Sequence, residues 1–143
     1  MKKILLTAVV ALSTLVASAQ FMVVTTYDGD QLKSSEKFTA HMGVGYMVND
    51  AFTVGLVKAL NAKKEDTYDL WARYNLGEYM EGAYASLQMP TKDGTDNMKI
   101  GLGFSFNVWN GLYLEPNYTM PTSEDPKTKK REGSFNFGLA YRF

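Results

Sequence analysis

The 143-residue chain has no cysteine, one histidine and four prolines. Small exported domains often rely on disulfides, so without cysteine this one must be stabilised in another way. Past residue 20, no apolar run approaches the roughly 20 residues a helix needs to cross a hydrocarbon core of about 30 Å. No sign of charge dominates either. Fifteen basic and fifteen acidic residues give formal neutrality, which leaves no electrostatic footing for nucleic-acid binding. Sustained helical spacing is absent, and that removes bundles and helical membrane proteins from consideration.

What is present begins with a leader. Lys2 and Lys3 precede an apolar stretch from Ile4 to about Ala17, and Ala17-Ser18-Ala19 supplies small residues for cleavage. Residues 1–19 therefore read as a secretory signal and 20–143 as one mature domain. Loss of the two lysines leaves thirteen basic and fifteen acidic residues.

From Gln20 onward, side chains alternate between large apolar and small or polar with period two, the signature of strands. Eight such stretches are predicted: 21–27, 38–48, 52–60, 67–76, 79–90, 97–108, 112–121 and 132–143. The sharpest sets Met98, Ile100, Leu102, Phe104, Phe106 and Val108 against Lys99, Gly101, Gly103, Ser105 and Asn107. In the last, Phe135, Phe137, Leu139, Tyr141 and Phe143 share a face opposite Ser134, Asn136, Gly138, Ala140 and Arg142. Two places fit less well. Pro116 cannot donate to a ladder and predicts a bulge in the seventh strand. Glu81 would share a face with Ala83, Ala85, Leu87 and Met89.

The connections alternate in kind. Asn49-Asp50-Ala51, Gly77-Glu78 and Trp109-Asn110-Gly111 are predicted tight hairpin turns, rich in residues that tolerate positive φ. Longer polar loops fall at 28–37, 61–66, 91–96 and 122–131. Short turns thus gather at one end of a meander and long loops at the other, the asymmetry of outer-membrane barrels. Ten residues at about 3.3 Å rise, tilted near 40°, project to about 25 Å, the height of the apolar band of such barrels. The expected fold is all-β: an eight-stranded antiparallel up-and-down transmembrane β-barrel.

In this pattern the chain resembles the small eight-stranded outer-membrane β-barrels of the OmpA/OmpX type. The resemblance covers the mature chain and is one of pattern more than of motif. Phe137, Leu139, Tyr141 and Phe143 resemble the ending read by the outer-membrane assembly machinery. The peptidoglycan-binding domain of OmpA has no counterpart after Phe143. The resemblance implies residence in the cell outer membrane, contact with outer-membrane lipid and lipopolysaccharide, and a monomer.

Candidate functional residues are few. Asp69, Arg73, Lys99, Glu115 and Arg142 should face the lumen as a charge network, with Asp69 and Lys99 toward the long loops and Arg142 near the opposite exit. An eight-stranded interior is just wide enough for side chains, and unpaired buried charges are expensive, so opposite charges at similar levels should pair. His41, expected inward in the second strand, could serve as the base of a lipid-A-modifying enzyme. Such a site needs a serine and an acid beside it, and Ser34, Ser35, Ser86, Ser105 and Glu36 cannot be brought to His41 from sequence. Asp28-Gly29-Asp30 and Asp93-Gly94-Thr95-Asp96 complete no calcium-loop spacing and read as turns. Lys58 and the basic run Lys127, Lys129, Lys130 and Arg131 are candidate contacts for lipopolysaccharide phosphates. Tyr79, Trp109 and Tyr113 are expected to anchor the short-turn interface. No cofactor or metal is expected.

The function this composes is that of a small non-enzymatic outer-membrane protein with a filled polar lumen, supporting the envelope or presenting four extracellular loops to a partner the sequence does not name. The rival readings are a lipid-A-modifying enzyme, a narrow gated channel and a secreted soluble barrel with an apolar ligand.

Overall fold

A computed structural model describes residues 20–29, 34–60, 66–91 and 97–143. The expected leader 1–19, Asp30 and residues 93–96, expected as a turn, lie outside the described residues. The elements are β1 (Phe21–Thr26), α1 (Glu36–Thr39), β2 (Gly43–Met47), β3 (Phe52–Leu60), β4 (Asp66–Asn75), β5 (Ala83–Pro90), β6 (Lys99–Phe104), β7 (Phe106–Trp109), β8 (Leu112–Pro121) and β9 (Ser134–Arg142). Each strand pairs antiparallel with its neighbour in sequence, and β1 pairs with β9, so the sheet closes on itself. Since β6 and β7 lie in succession along the same edge of β8, the barrel has eight strands.

Pro116 explains the division between β6 and β7. The registers Gly103↔Asn117 and Phe106↔Leu114 set Phe104 opposite Pro116, which has no N–H to give. The strand carrying Pro116 runs on unbroken, while the interruption falls on its partner at Ser105. The expected bulge in the seventh strand is thus displaced: the register shift lies between Asn107 and Trp109.

The stagger of the barrel follows from its registers. Pairing runs from Leu112 through Tyr141, Val23, Val44, Leu56, Leu70 and Met89. It then crosses Met98, whose carbonyl accepts from the Thr122 N–H at 2.8 Å. The circuit ends about ten residues beyond its start, a stagger that tilts the strands by about 43°.

Alternation decides the two faces. Outward lie Val44, Tyr46, Leu56, Tyr68, Leu70, Leu102, Phe106 and Phe137, all exposed. Inward lie Met22, Thr53, Asp69, Trp71, Arg73, Tyr84, Glu115 and Ala140, all buried. Glycines on the inner face make room for the large rings. A Cβ on Gly45 would stand 2.7 Å from Trp71 Cζ2, and one on Gly103 would stand 2.5 Å from Tyr84 Cζ.

Two expected strand starts are corrected. Residues 38–42 alternate but form no strand: 36–39 make α1, closed by the Ala40 N–H donating to the Glu36 carbonyl at 2.9 Å, and only the Met42 carbonyl accepts across from the Lys58 N–H. The fifth strand begins at Ala83, not at 79, because 76–82 make a wider turn in which the Leu76 N–H donates to the Ala83 carbonyl. Gly82 takes φ +77 there, and Glu81 leaves the strand, which removes its conflict of phase. The expected Gly77-Glu78 hairpin is therefore longer than two residues. Asn110 (φ 40) and Gly111 (φ 86) form a two-residue connection with both φ positive, as a type I′ turn requires.

Gly45→Ala should force a methyl against the Trp71 ring. The expected cost is about 1–3 kcal/mol, as for overpacking elsewhere. Urea unfolding of the refolded chain, followed by tryptophan emission, measures it.

Candidate functional site

The lumen is organised around Glu115, which β8 presents inward from the centre of the strand. Arg73 on β4 reaches across the barrel to it. Its Nη1 donates to Glu115 Oε1 at 2.7 Å and its Nη2 to Oε2 at 2.6 Å, a fork-on-fork pair with both residues buried. Ser105 Oγ also donates to Glu115 Oε1. Arg142 on β9 donates through Nη2 to Ser105 Oγ at 2.8 Å and stands 3.5 Å from Glu115 Oε1. Both guanidiniums lie over aromatic faces. Arg73 Cζ is 3.9 Å from the Tyr84 ring centroid, and Arg142 Cζ is 4.0 Å from that of Tyr113.

An apolar cluster occupies the remaining cross-section. Met22, Trp71 and Ala140 form it, with Val24, Met47, Val57 and Tyr113 packed alongside. Ion network and cluster together make a floor. Above it a polar cavity of about 230 Å³ extends to the loop-side ends of the strands, at Thr26, Lys99, Thr119 and Ser134. Arg73, Tyr84 and Glu115 line its base.

Of the expected charge network, Arg73, Glu115 and Arg142 come together, while Asp69 and Lys99 do not join them. Asp69 is buried, and its Oδ2 accepts from Gln88 Nε2 at 2.7 Å. Lys99 lines the cavity wall and is exposed, with no ion pair among the described residues. His41 is not in the second strand. It sits in the turn between α1 and β2 at the cavity mouth, its Nε2 3.2 Å from Asp28 Oδ2. Among the described residues no serine hydroxyl meets it.

Phe137, Leu139 and Tyr141 lie on the outer phase of β9, and the Tyr141 and Phe143 rings meet edge-on at 4.9 Å. Lys58 lies on the outer phase of β3, opposite Tyr68. Lys127, Lys129, Lys130 and Arg131 belong to the loop between β8 and β9. There the Asp125 carboxylate accepts from the Lys127 and Thr128 N–H groups, and Lys129 takes φ +54. Tyr79 and Trp109 are exposed at the short-turn end, but Tyr113 points inward beneath Arg142. Its expected place at the interface is thus corrected, and alternation with Glu115 already carried that signal.

Sequence reasoning did not find Ser105 and Gln88 as partners of the buried carboxylates, or Tyr84 as the platform under Arg73. The inward phase of Ser105 was readable, but that of Tyr84 and Gln88 was not, because Glu81 left the phase of 79–90 open. Which carboxylate each would meet depends on the stagger, and the stagger is a property of the closed ring. No known protein family, curated protein or solved structure matches the chain.

Truncating either partner of the central pair strands a buried charge. Arg73→Met and Glu115→Met should each cost about 3–5 kcal/mol, and the double variant less than the two combined. Equilibrium unfolding of all four forms of the cycle gives the numbers.

Proposed function

We propose that this protein is a small, non-enzymatic outer-membrane β-barrel of the OmpA/OmpX type, whose closed body dissolves in lipid and carries four loops on the cell surface. The observation that carries this reading is the composition of the outer face. Leu102 is 64% exposed, Val108 61% and Tyr68 58%, and such residues continue round the whole wall. A water-soluble monomer rarely leaves more than a few hundred Å² of contiguous apolar surface uncovered.

Most rings on that face stand near its two ends. Tyr27, Tyr68 and Phe135 stand toward the long loops; Tyr46, Tyr74, Phe106, Trp109 and Tyr141 stand toward the short turns. Tyr118, paired with Leu102, and Phe137, paired with Pro116, lie nearer the middle. Aliphatic Val54, Leu56, Leu70, Ile100 and Leu102 lie between them. Aromatic girdles flanking an aliphatic band are what the two interfaces of a bilayer select. The ten residues of β4, tilted by about 43°, project to about 24 Å, close to the apolar height of such barrels.

A closed ring also suits lipid because it leaves no strand edge unpaired around the aliphatic band. The long loops then face outside, and the short turns the periplasm. Outer-membrane lipid and lipopolysaccharide become the solvent of the outer face, with Lys58 and the Lys127–Arg131 run near the phosphates. The outward Phe137, Leu139, Tyr141 and Phe143 become the surface offered to the assembly machinery. The apolar-ligand soluble barrel loses support, since its apolar faces would have to point inward. The Arg73–Glu115 floor argues against an open channel, and among the described residues no serine stands beside His41 to support hydrolysis.

Leu102→Arg separates lipid from water as the solvent of the wall. In lipid a mid-band arginine costs about 2–4 kcal/mol. In water, a charge at a position already 64% exposed would cost little. The expected result is a heat-dependent gel mobility shift for the wild-type membrane fraction, with much less folded band for Leu102→Arg. A wild-type chain recovered in the soluble periplasm would overturn the reading.

A further inference from the structure

The ring of strands is one-sided at a single stretch. β7 pairs with β8 along one edge, and among the described residues no strand stands against its other edge. We propose that this free edge, at the short-turn end of the barrel, docks an extended basic peptide segment of a partner protein, added as a strand beside Phe106–Trp109.

The edge exists because β5 stops short. Ala83 stands opposite Phe104, and the last bond across is the Ser105 N–H to the Gly82 carbonyl at 2.7 Å. Before Gly82 the chain turns in on itself. The Tyr79 and Met80 N–H groups both donate to the Leu76 carbonyl at 2.8 Å, and the Met80 carbonyl accepts from the Ala83 N–H at 3.1 Å. That turn extends no strand beside β7. The four residues of β7 run on for about 13 Å, and all four are exposed. Successive N–H groups of a strand point to opposite edges, so the Asn107 N–H points the way the Ser105 N–H does. Among the described residues no backbone carbonyl across that edge meets it.

Charge selects the occupant. Asp50, Glu78 and Glu81 are exposed in the turns at this end, and none of them makes an ion pair among the described residues. Glu81 directly precedes Gly82, where the covered part of the edge ends. The one basic residue described at this end, Arg142, is already held by Ser105 and Glu115. A second copy docked edge to edge would set its own Glu78 and Glu81 against these, acid on acid. A segment carrying lysine or arginine reverses that sign. Main-chain bonds then supply affinity, and the flanking carboxylates supply choice. Phe106 and Trp109 on the outer side of the edge, with the exposed Tyr79 and Met80 on the adjoining turn, offer apolar surface to alternate side chains of the added strand.

The test uses the full mature barrel refolded in detergent micelles. It is titrated with a synthetic hexapeptide of alternating lysine and valine, and separately with one of alternating glutamate and valine, and followed by amide nitrogen–proton spectra. The lysine peptide should give saturable shifts centred on Gly82, Asn107 and Val108, and the glutamate peptide none. Asn107→Pro, which removes the edge donor, should weaken binding at least tenfold. Glu78→Gln combined with Glu81→Gln should weaken it several-fold, and because both side chains are exposed this variant reads out the site even if Asn107→Pro fails to fold. Shifts that do not saturate, that are unchanged in the double glutamine variant, or that centre on the lumen or the long loops would overturn the proposal. So would an Asn107→Cys chain that oxidises to a disulfide-linked dimer while the wild type ignores the lysine peptide, since the edge would then belong to a second copy. The experiment needs only the closed barrel, so its failure would leave the membrane reading untouched.

Discussion

A chain that turns most of its large apolar side chains outward keeps only a small apolar cluster inside to collapse around. What takes the place of a core is closure of the hydrogen-bond ladder between β1 and β9. Until that last pair forms, β1 and β9 are open edges and the inner face has no opposite wall. Once it forms, the ring is closed, and residues distant in sequence face one another across about 16 Å of barrel. Arg73 and Glu115, forty-two positions apart, meet only on that condition. Closure is thus the constraint on which lumen chemistry, strand tilt and outer face all depend.

The lumen is then filled by a polar network set beside a small apolar cluster. A buried ion pair is usually poor value for stability against an apolar replacement, because two desolvated ions must be recovered by their mutual attraction. Here the attraction is strengthened by shape. Glu115 accepts a bidentate fork from Arg73, a hydroxyl from Ser105 and the nearby charge of Arg142, while Tyr84 and Tyr113 cover the guanidinium faces. Ser105 can serve this hub because the ladder is interrupted where Pro116 lacks its N–H. One imino acid on the neighbouring strand therefore shapes the site without touching it.

Much of this was legible in the sequence, because strand periodicity requires no knowledge of partners. The inward phase of Arg73, Glu115, Arg142, Lys99 and Asp69 follows from alternation alone. Alternation is necessary for a strand but does not create one. Phe38, Ala40 and Met42 keep the pattern, yet β1 pairs with β2 only as far as Val24↔Gly43, and the chain before that point winds into α1. Glu81 was the readable warning for the start of β5, since a carboxylate out of phase marks a residue that is not in the strand. Gln88 as the partner of Asp69, and the lack of an ion pair for Lys99 among the described residues, were not legible. They depend on the stagger, and a shift of one register would exchange one set of neighbours for another.

The distribution of small residues divides the interior into two regions with different capacities. Where Gly45, Gly55 and Gly103 make room, Trp71 and Tyr84 fill it, and the barrel is solid. Around Gly101 the side chains that close in are the shorter Ser86 and Thr119, and above them the lumen opens toward the loops. The outer face is generic, since any apolar side chain of suitable size satisfies a hydrocarbon solvent. Chemical selectivity above the floor can therefore reside in only two places, the loops and the open upper lumen they surround. Both lie at the same end of the barrel, and His41 with Asp28 stands at their junction. A partner that engages the loops therefore also stands at the mouth of the lumen, so the two places share one entrance.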